Sequence, residues 1–134
     1  MNEVAEYRAG IRALESAMRE LPQLKEELRH HFAHGIYGRE MWVPAGTVLV
    51  GKIHRYSCIN VILQGIVEVR SQEGAYRIEA PYVFVSPGGT KRAMIALTDL
   101  VWMTVHPADS EDLDQLEREL ILEDWPRQMI EEDL

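Results

Sequence analysis

Four side chains at alternate positions, His54, Tyr56, Cys58 and Asn60, offer an imidazole, a phenol, a thiol and an amide within seven residues. In an extended chain, residues two apart share a face, so the four can line one side of a strand. If that side is an interior, Arg92 enters from a facing strand and adds a guanidinium, which binds carboxylate or phosphate through two hydrogen bonds. Such a set suits a small anionic or hydrogen-bonding ligand. The plain alternative is a relic pocket whose polar groups satisfy one another or hold water. His106 alternates with Trp102 and Thr104, and either joins His54 in that pocket or caps the edge of the strands. Cys58 beside a histidine has the makings of a nucleophile pair, although a buried, inert thiol is the commoner state. Lys91 and Arg92 follow Gly88 and Gly89 and can form an anion nest in the loop or an ordinary charged turn.

His30, His31 and His34 form a second cluster. His30 and His34 are four apart, a spacing that puts two imidazoles on one helical face for a metal. No acid–histidine pair completes a metalloprotease pattern, and histidine near a helix C-terminus is favourable for dipole reasons alone. No Walker-type loop, GxGxxG or GxSxG is present, which disfavours the common nucleotide-binding and α/β-hydrolase readings.

The elements that must position these groups fall into three zones. Residues 1–35 read as a helical segment: Val4, Tyr7, Ile11, Leu14, Met18 and Leu21 recur at three- and four-residue steps, and Leu24, Leu28 and Phe32 continue the stripe beyond Pro22. Residues 36–106 alternate in period two between turn signals. Strands are expected near Glu40–Val43, Val48–His54, Cys58–Leu63, Ile66–Ser71, Ala75–Glu79, Tyr82–Ser86, Arg92–Leu97 and Leu100–His106. Residues 107–134 read as an acidic helical segment capped by Asp109 or Ser110, with Leu113, Leu116, Leu120 and Ile121 as its apolar face. Pro126 ends or restarts it, and Trp125, Met129 and Ile130 offer a last apolar patch. The expectation is one compact, mainly β domain: a small barrel or jelly roll of about eight short antiparallel strands flanked by N- and C-terminal α-helices.

The segment from Tyr37 to His106 resembles the cupin superfamily. The resemblance is carried by Val43-Pro-Ala-Gly46, Gly51-Lys-Ile-His54, Val67-Glu-Val69 after Gly65, and the run from Ala80-Pro-Tyr to Lys91-Arg92. More narrowly, the string from Arg39-Glu40 to Trp102-Met-Thr-Val-His106 is similar to small cupin-like proteins of phage and prophage genomes. Catalytic cupins present two histidines and a glutamate from a first motif, H-x-H-(x)3–4-E-(x)6-G, and a third histidine from P-x-G-x-x-H. His54 occupies the first ligand position here. The second falls on Tyr56, the glutamate on Asn60 or Cys58, and the last histidine on Arg92. A permanent cation thus stands where a divalent metal would sit. The resemblance therefore implies no cofactor and a degenerate metal site, with a divalent transition metal left only to an altered ligand set.

Two classes of function follow. One is a metal-free binding or assembly module with a small anionic ligand at His54, Tyr56, Cys58, Asn60, Arg92 and His106, which forms a homodimer through its sheet, as the resemblance implies. The other is an enzyme, an isomerase or epimerase, lyase or oxygenase. By the resemblance it would use His54 and Tyr56 as general base and acid, with Arg92 holding an anionic substrate. An accessory phage role, with a host or virion protein engaged through the C-terminal helix, is a further alternative.

Charge narrows the partners. Of the 134 residues, 14 are Lys or Arg and 22 are Asp or Glu, for a net charge of −8. Residues 107–134 hold eleven acids and two bases (−9), and residues 1–106 hold twelve bases and eleven acids (+1). A nearly neutral body with an acidic tail is a poor match to a phosphate backbone, so nucleic acid is not an expected partner. No apolar run reaches the roughly 20 residues that span a bilayer, and the first residues lack a signal-peptide pattern, so neither a membrane nor export is expected. Cys58 is the single cysteine, which leaves no internal disulfide and fits a reducing cytoplasm.

Overall fold

The structure is a computed structural model that describes residues 3–71 and 74–125. Helix α1 (Glu3–Arg19) is followed by strands β1 (Glu27–Ala33), β2 (Ile36–Val43), β3 (Val48–Val50), β4 (Ile53–His54), β5 (Cys58–Gln64), β6 (Ile66–Ser71), β7 (Gly74–Glu79), β8 (Tyr82–Ser86), β9 (Ala93–Ala96) and β10 (Leu100–Pro107). Helix α2 (Leu113–Leu120) and the short strand β11 (Ile121–Leu122) complete the described chain. The strands form a five-stranded sheet in the order β1-β2-β10-β5-β8, a four-stranded sheet β3-β9-β6-β7 and a two-stranded ribbon β11-β4.

The two larger sheets face each other. Met41, Val43, Ile62, Leu100 and Trp102 of the first pack with Val67, Val69, Ile78 and Ala96 of the second in one buried cluster. The period-two alternation read from the sequence produces this face directly: each of these residues is separated from the next on its strand by one outward position. Gly65 joins the sheets. It adopts φ +95°, and an added Cβ would collide with the Asp99 carbonyl oxygen, so glycine is needed at this crossing. The ladders among the described residues do not close into a barrel, because β1, β8, β3 and β7 remain sheet edges. Of the two expected forms, barrel or jelly roll, a closed barrel is not formed by these ladders; the strands make two facing sheets.

The N-terminal zone departs from its expected helicity. α1 stops at Arg19, and β1 pairs antiparallel with β2, with Leu28 opposite Met41, His30 opposite Arg39 and Phe32 opposite Tyr37. The four-residue spacing of Leu24, Leu28 and Phe32 suits a helix but is also twice two, so it fits one face of a strand equally well. Strand addition to β2 decides between them. The expected strand over Val48–His54 is also two pieces. Gly51 still donates to the Arg92 carbonyl at 2.9 Å, and beyond it the chain leaves β9 so that Ile53 and His54 can pair with β11.

α1 docks on the sandwich itself. Ile11 is buried with Ile53 and Trp125, the Tyr7 hydroxyl donates to the Lys91 carbonyl at 2.5 Å, and Lys91 pairs with Glu15 at 2.6 Å. At the other end, α2 is capped by Asp112, whose carboxylate accepts from the Asp114 and Gln115 amides, rather than by Asp109 or Ser110. Ser110 instead accepts from the Asp112 amide. Leu116 and Leu120 turn inward against Tyr37 and Phe32. Of the apolar patch expected at Trp125, Met129 and Ile130, Trp125 packs on Ile11 and Ile53; Pro126, Met129 and Ile130 lie outside the described residues.

Candidate functional site

Along β10, β2 and β5 of the large sheet, the inward residues change from apolar to polar at the same level. On β10 the series is Leu100, Trp102, Thr104, His106; on β2 it is Val43, Met41, Arg39, Tyr37; on β5 it is Ile62 then Asn60. The apolar half closes as core. The polar half cannot pack without leaving its hydrogen-bonding groups unsatisfied, and a cavity of about 340 Å³ opens there. Its polar lining includes His30, Tyr37, Arg39, His54, Asn60, Arg92, Thr104 and His106. Met41, Leu49, Met94 and Trp102 form an apolar floor, and Leu116, Leu120 and Ile121 lie over one side.

A chain of hydrogen bonds holds the floor. Trp102 Nε1 donates to Asn60 Oδ1 at 3.0 Å, Asn60 Nδ2 donates to Ser86 Oγ at 2.6 Å, and Arg92 Nη1 donates to the same Oγ at 2.8 Å. This fixes the guanidinium over Phe84, 5.3 Å from the ring centroid. Among the described residues, the buried Arg92 Nε has no hydrogen-bond partner and no carboxylate comes within ion-pair distance of Arg92. Arg39, by contrast, has Glu26 at 3.4 Å, and Lys52 at the rim has Glu117 at 2.5 Å.

His54 and His106 are neutral at physiological pH. The His54 and His106 rings meet edge to face with centroids 5.1 Å apart. Burial pushes the His54 pKa down to about 4, with His106, Arg39, Arg92 and Lys52 adding to the effect. Burial, then Arg39, takes His106 down to about 4 as well. Burial raises Cys58, against the opposing pull of Arg92, so the thiol keeps its proton. Its sulfur lies 3.2 Å from His54 Nδ1; with S–H donating there, the remaining His54 proton sits on Nε2 and makes that nitrogen a donor. His106 Nε2 is 2.8 Å from Thr104 Oγ1, and His30 Nδ1 is 2.7 Å from the Tyr37 hydroxyl. Tyr37 is raised by burial and stays a phenol.

Of the six residues singled out in the sequence, His54, Asn60, Arg92 and His106 line this cavity. Cys58 lies behind His54. Tyr56 does not join them: it is 54% exposed, because Arg55–Ser57 interrupts the strands and the alternation restarts at Cys58. Pairing of His54 with Ile121, and of the His54 carbonyl with the Gly89 amide at 2.8 Å, fixes that interruption. The phenol of the cavity is Tyr37. His30, Arg39 and Thr104 were also missed, although Tyr37, Arg39, Met41 and Val43 continue one alternation that carries the expected strand at Glu40–Val43 backwards. His30 and His31 sit on opposite faces of β1, His31 reaching Glu40 at 3.0 Å on the outside, and because residues 27–33 are a strand, His30 and His34 do not share a helical face.

The residues do not fit a cupin metal centre. The second ligand position is the exposed Tyr56, the last is the Arg92 cation, and no group of three or more His, Cys, Asp or Glu among the described residues is arranged to hold a metal ion.

No protein-family model matches the chain, and no curated protein matches it in sequence. Solved structures do match. KdgF from a Halomonas species aligns with TM-score 0.55 and 18% identity over 71% of this chain and 94% of that one. A cupin-2 domain protein from Shewanella frigidimarina aligns with TM-score 0.52 and 11% identity over 71% and 92%. The cupin domain of Schizosaccharomyces pombe Cnp3 aligns with TM-score 0.52 and 18% identity over 76% and 77%. Their descriptions name bacteria and a yeast, and no phage. Among the described residues no helix is long and apolar enough to cross a membrane. At these identities the likeness is one of architecture, and the fold of this chain is that of cupin-domain proteins.

Proposed function

We propose that the protein is a cupin-fold binding module that takes a small anionic ligand into the cavity beneath α2, a jelly roll in topology with Arg92 as the anchor. The observation that carries this reading is the state of Arg92: a half-buried guanidinium held in place by Ser86, with a buried Nε that has no hydrogen-bond partner and no carboxylate beside it among the described residues. A buried charge without a counter-charge is costly, and an anion that accepts two of its hydrogen bonds supplies the missing half. The neutral His54 offers an Nε2–H to the same anion. An acid–base reading with His54 and Tyr56 lacks its phenol in the cavity, and imidazoles with pKa near 4 are weak bases at neutral pH, so binding is favoured over catalysis. Thermal unfolding in rising sodium phosphate and sodium acetate, with chloride at matched ionic strength as reference, tests the reading. The wild-type midpoint climbs with anion concentration beyond the chloride control, and Arg92→Met abolishes the climb. A wild-type protein indifferent to every small anion overturns it.

The reading includes a second copy of the chain as partner. On the outer face of the large sheet, Ile59, Val61 and Leu63 of β5 lie beside Val83 and Val85 of β8 and Met103 of β10. Val83 and Val85 are 62% and 65% exposed. Contiguous apolar patches of this kind mark interaction surfaces. This one is uncharged at its centre, so it meets its own copy without like-charge repulsion, and β8 is an open sheet edge that leaves backbone groups free to pair.

A further inference from the structure

Beyond Arg92 the sandwich gapes where β7 of the small sheet and β8 of the large sheet fail to pair. The gap is a groove of about 470 Å³. Tyr82 and Phe84 come from the inward positions of β8, and Tyr76 comes from the same face of β7 as the buried Ile78. Tyr82 and Phe84 rings lie 5.8 Å apart, tilted by 36°. Tyr76 is 38% and Tyr82 50% exposed, a large amount of aromatic surface to leave in water when the groove walls could close on it. Arg92 and Thr90 line this groove and the inner cavity alike; Phe84 lies under one face of the guanidinium. Of the other charges in the groove, Arg77 outweighs nothing but Glu79, so with Arg92 the local balance is positive.

We infer that the groove between β7 and β8 is a second subsite of the anion cavity, and that the ligand is an aromatic or similarly planar anion whose acidic group meets Arg92 and whose ring lies among Tyr76, Tyr82 and Phe84. The inference rests on the anion reading above and narrows it to a ligand class. Aromatic rings gain from offset or edge contacts with one another beyond the area they bury, and a planar anion presents its carboxylate in the plane that a guanidinium fork matches. A small anion such as acetate fills the Arg92 end alone and leaves the aromatic walls wet. The open edge of the sandwich, which a closed barrel would lack, is what gives the ring its place.

Calorimetric titration with sodium benzoate and with sodium acetate, at neutral pH and low salt, tests this. Benzoate binds at least about tenfold more tightly than acetate to the wild-type protein, as expected for one well-packed ring. The double variant Tyr76→Ala/Tyr82→Ala brings benzoate down to the affinity of acetate, while its unfolding midpoint stays near that of the wild type, since both phenols are exposed. Equal affinities in the wild type, or a benzoate preference that survives the double variant, overturn the subsite. If neither anion binds, the anion reading fails and the subsite with it; if acetate binds through Arg92 without a benzoate preference, the anion reading stands and only the subsite fails.

Discussion

His54 and His106 make the protein sensitive to mild acid through a term whose sign is fixed by burial. Both pKa values fall from 6.5 to about 4 in the folded state. As pH drops through 6.5 the unfolded chain takes up protons at these positions and the folded chain does not, so the unfolded state is favoured. The stability these two groups contribute is fully present above pH 6.5 and is lost between 6.5 and 4. Urea unfolding at pH 7 and pH 5 is expected to differ by about 2 kcal/mol for each imidazole, and His106→Asn removes one share of that difference. On the binding reading a bound anion acts in the opposite sense: it raises both pKa values, so affinity for sulfate, whose charge is constant over this range, rises as pH is lowered from 7 to 5. A flat stability profile over that range would show that the imidazoles are hydrated rather than buried.

At the scale of elements, α2 closes the cavity on one side, though it has only eight residues. A helix this short does not hold by propensity; it holds by its Asp112 cap and by Leu116 and Leu120, which are 2% and 7% exposed. Asp112→Ala is expected to cost about 1 kcal/mol and Leu116→Ala about 2–5 kcal/mol, both read from urea midpoints. Leu116→Ala also opens the cavity wall, so it speeds ligand dissociation more than Asp112→Ala does, a difference that stopped-flow release of a bound anion measures. These elements differ in how openly the sequence announces them. β5 to β10 are visible because valine, isoleucine and aromatic residues alternate with polar ones between Gly- and Pro-containing turns. β1 is not, because a four-residue spacing satisfies helix and strand together, and only pairing with β2 separates them. Tyr56 fell outside the cavity for a related reason: the break after His54 is set by contacts with Ile121 and Gly89, 67 and 35 positions away in the chain, and nothing local to Arg55–Ser57 declares it. Arg92, His54, Asn60 and His106 were legible as a set because each keeps the parity of a strand that was itself legible.

For the whole molecule, the sandwich has a chemically divided interior and an outer sheet face that is apolar and exposed among the described residues. Sedimentation velocity is expected to show a dimer that Val83→Lys/Val85→Lys converts to a folded monomer, since both side chains point outward; a wild-type monomer at tens of micromolar would remove the second copy from the account. The acidity of the chain belongs to its last residues, and on the proposed reading the cavity is anchored by the Arg92 cation and not by a carboxylate cage for a metal. That anchor is open to direct observation. In protein labelled with 15N-arginine, the Arg92 Nε–H resonance, identified by its loss in Arg92→Lys, reports on a buried guanidinium nitrogen that has no hydrogen-bond partner among the described residues. Titration with sodium phosphate should shift that resonance saturably while those of exposed arginines such as Arg29 and Arg77 move little. An Arg92 signal that stays in place, or that drifts without saturation alongside the surface arginines, would contradict the claim that this protein binds an anion at Arg92.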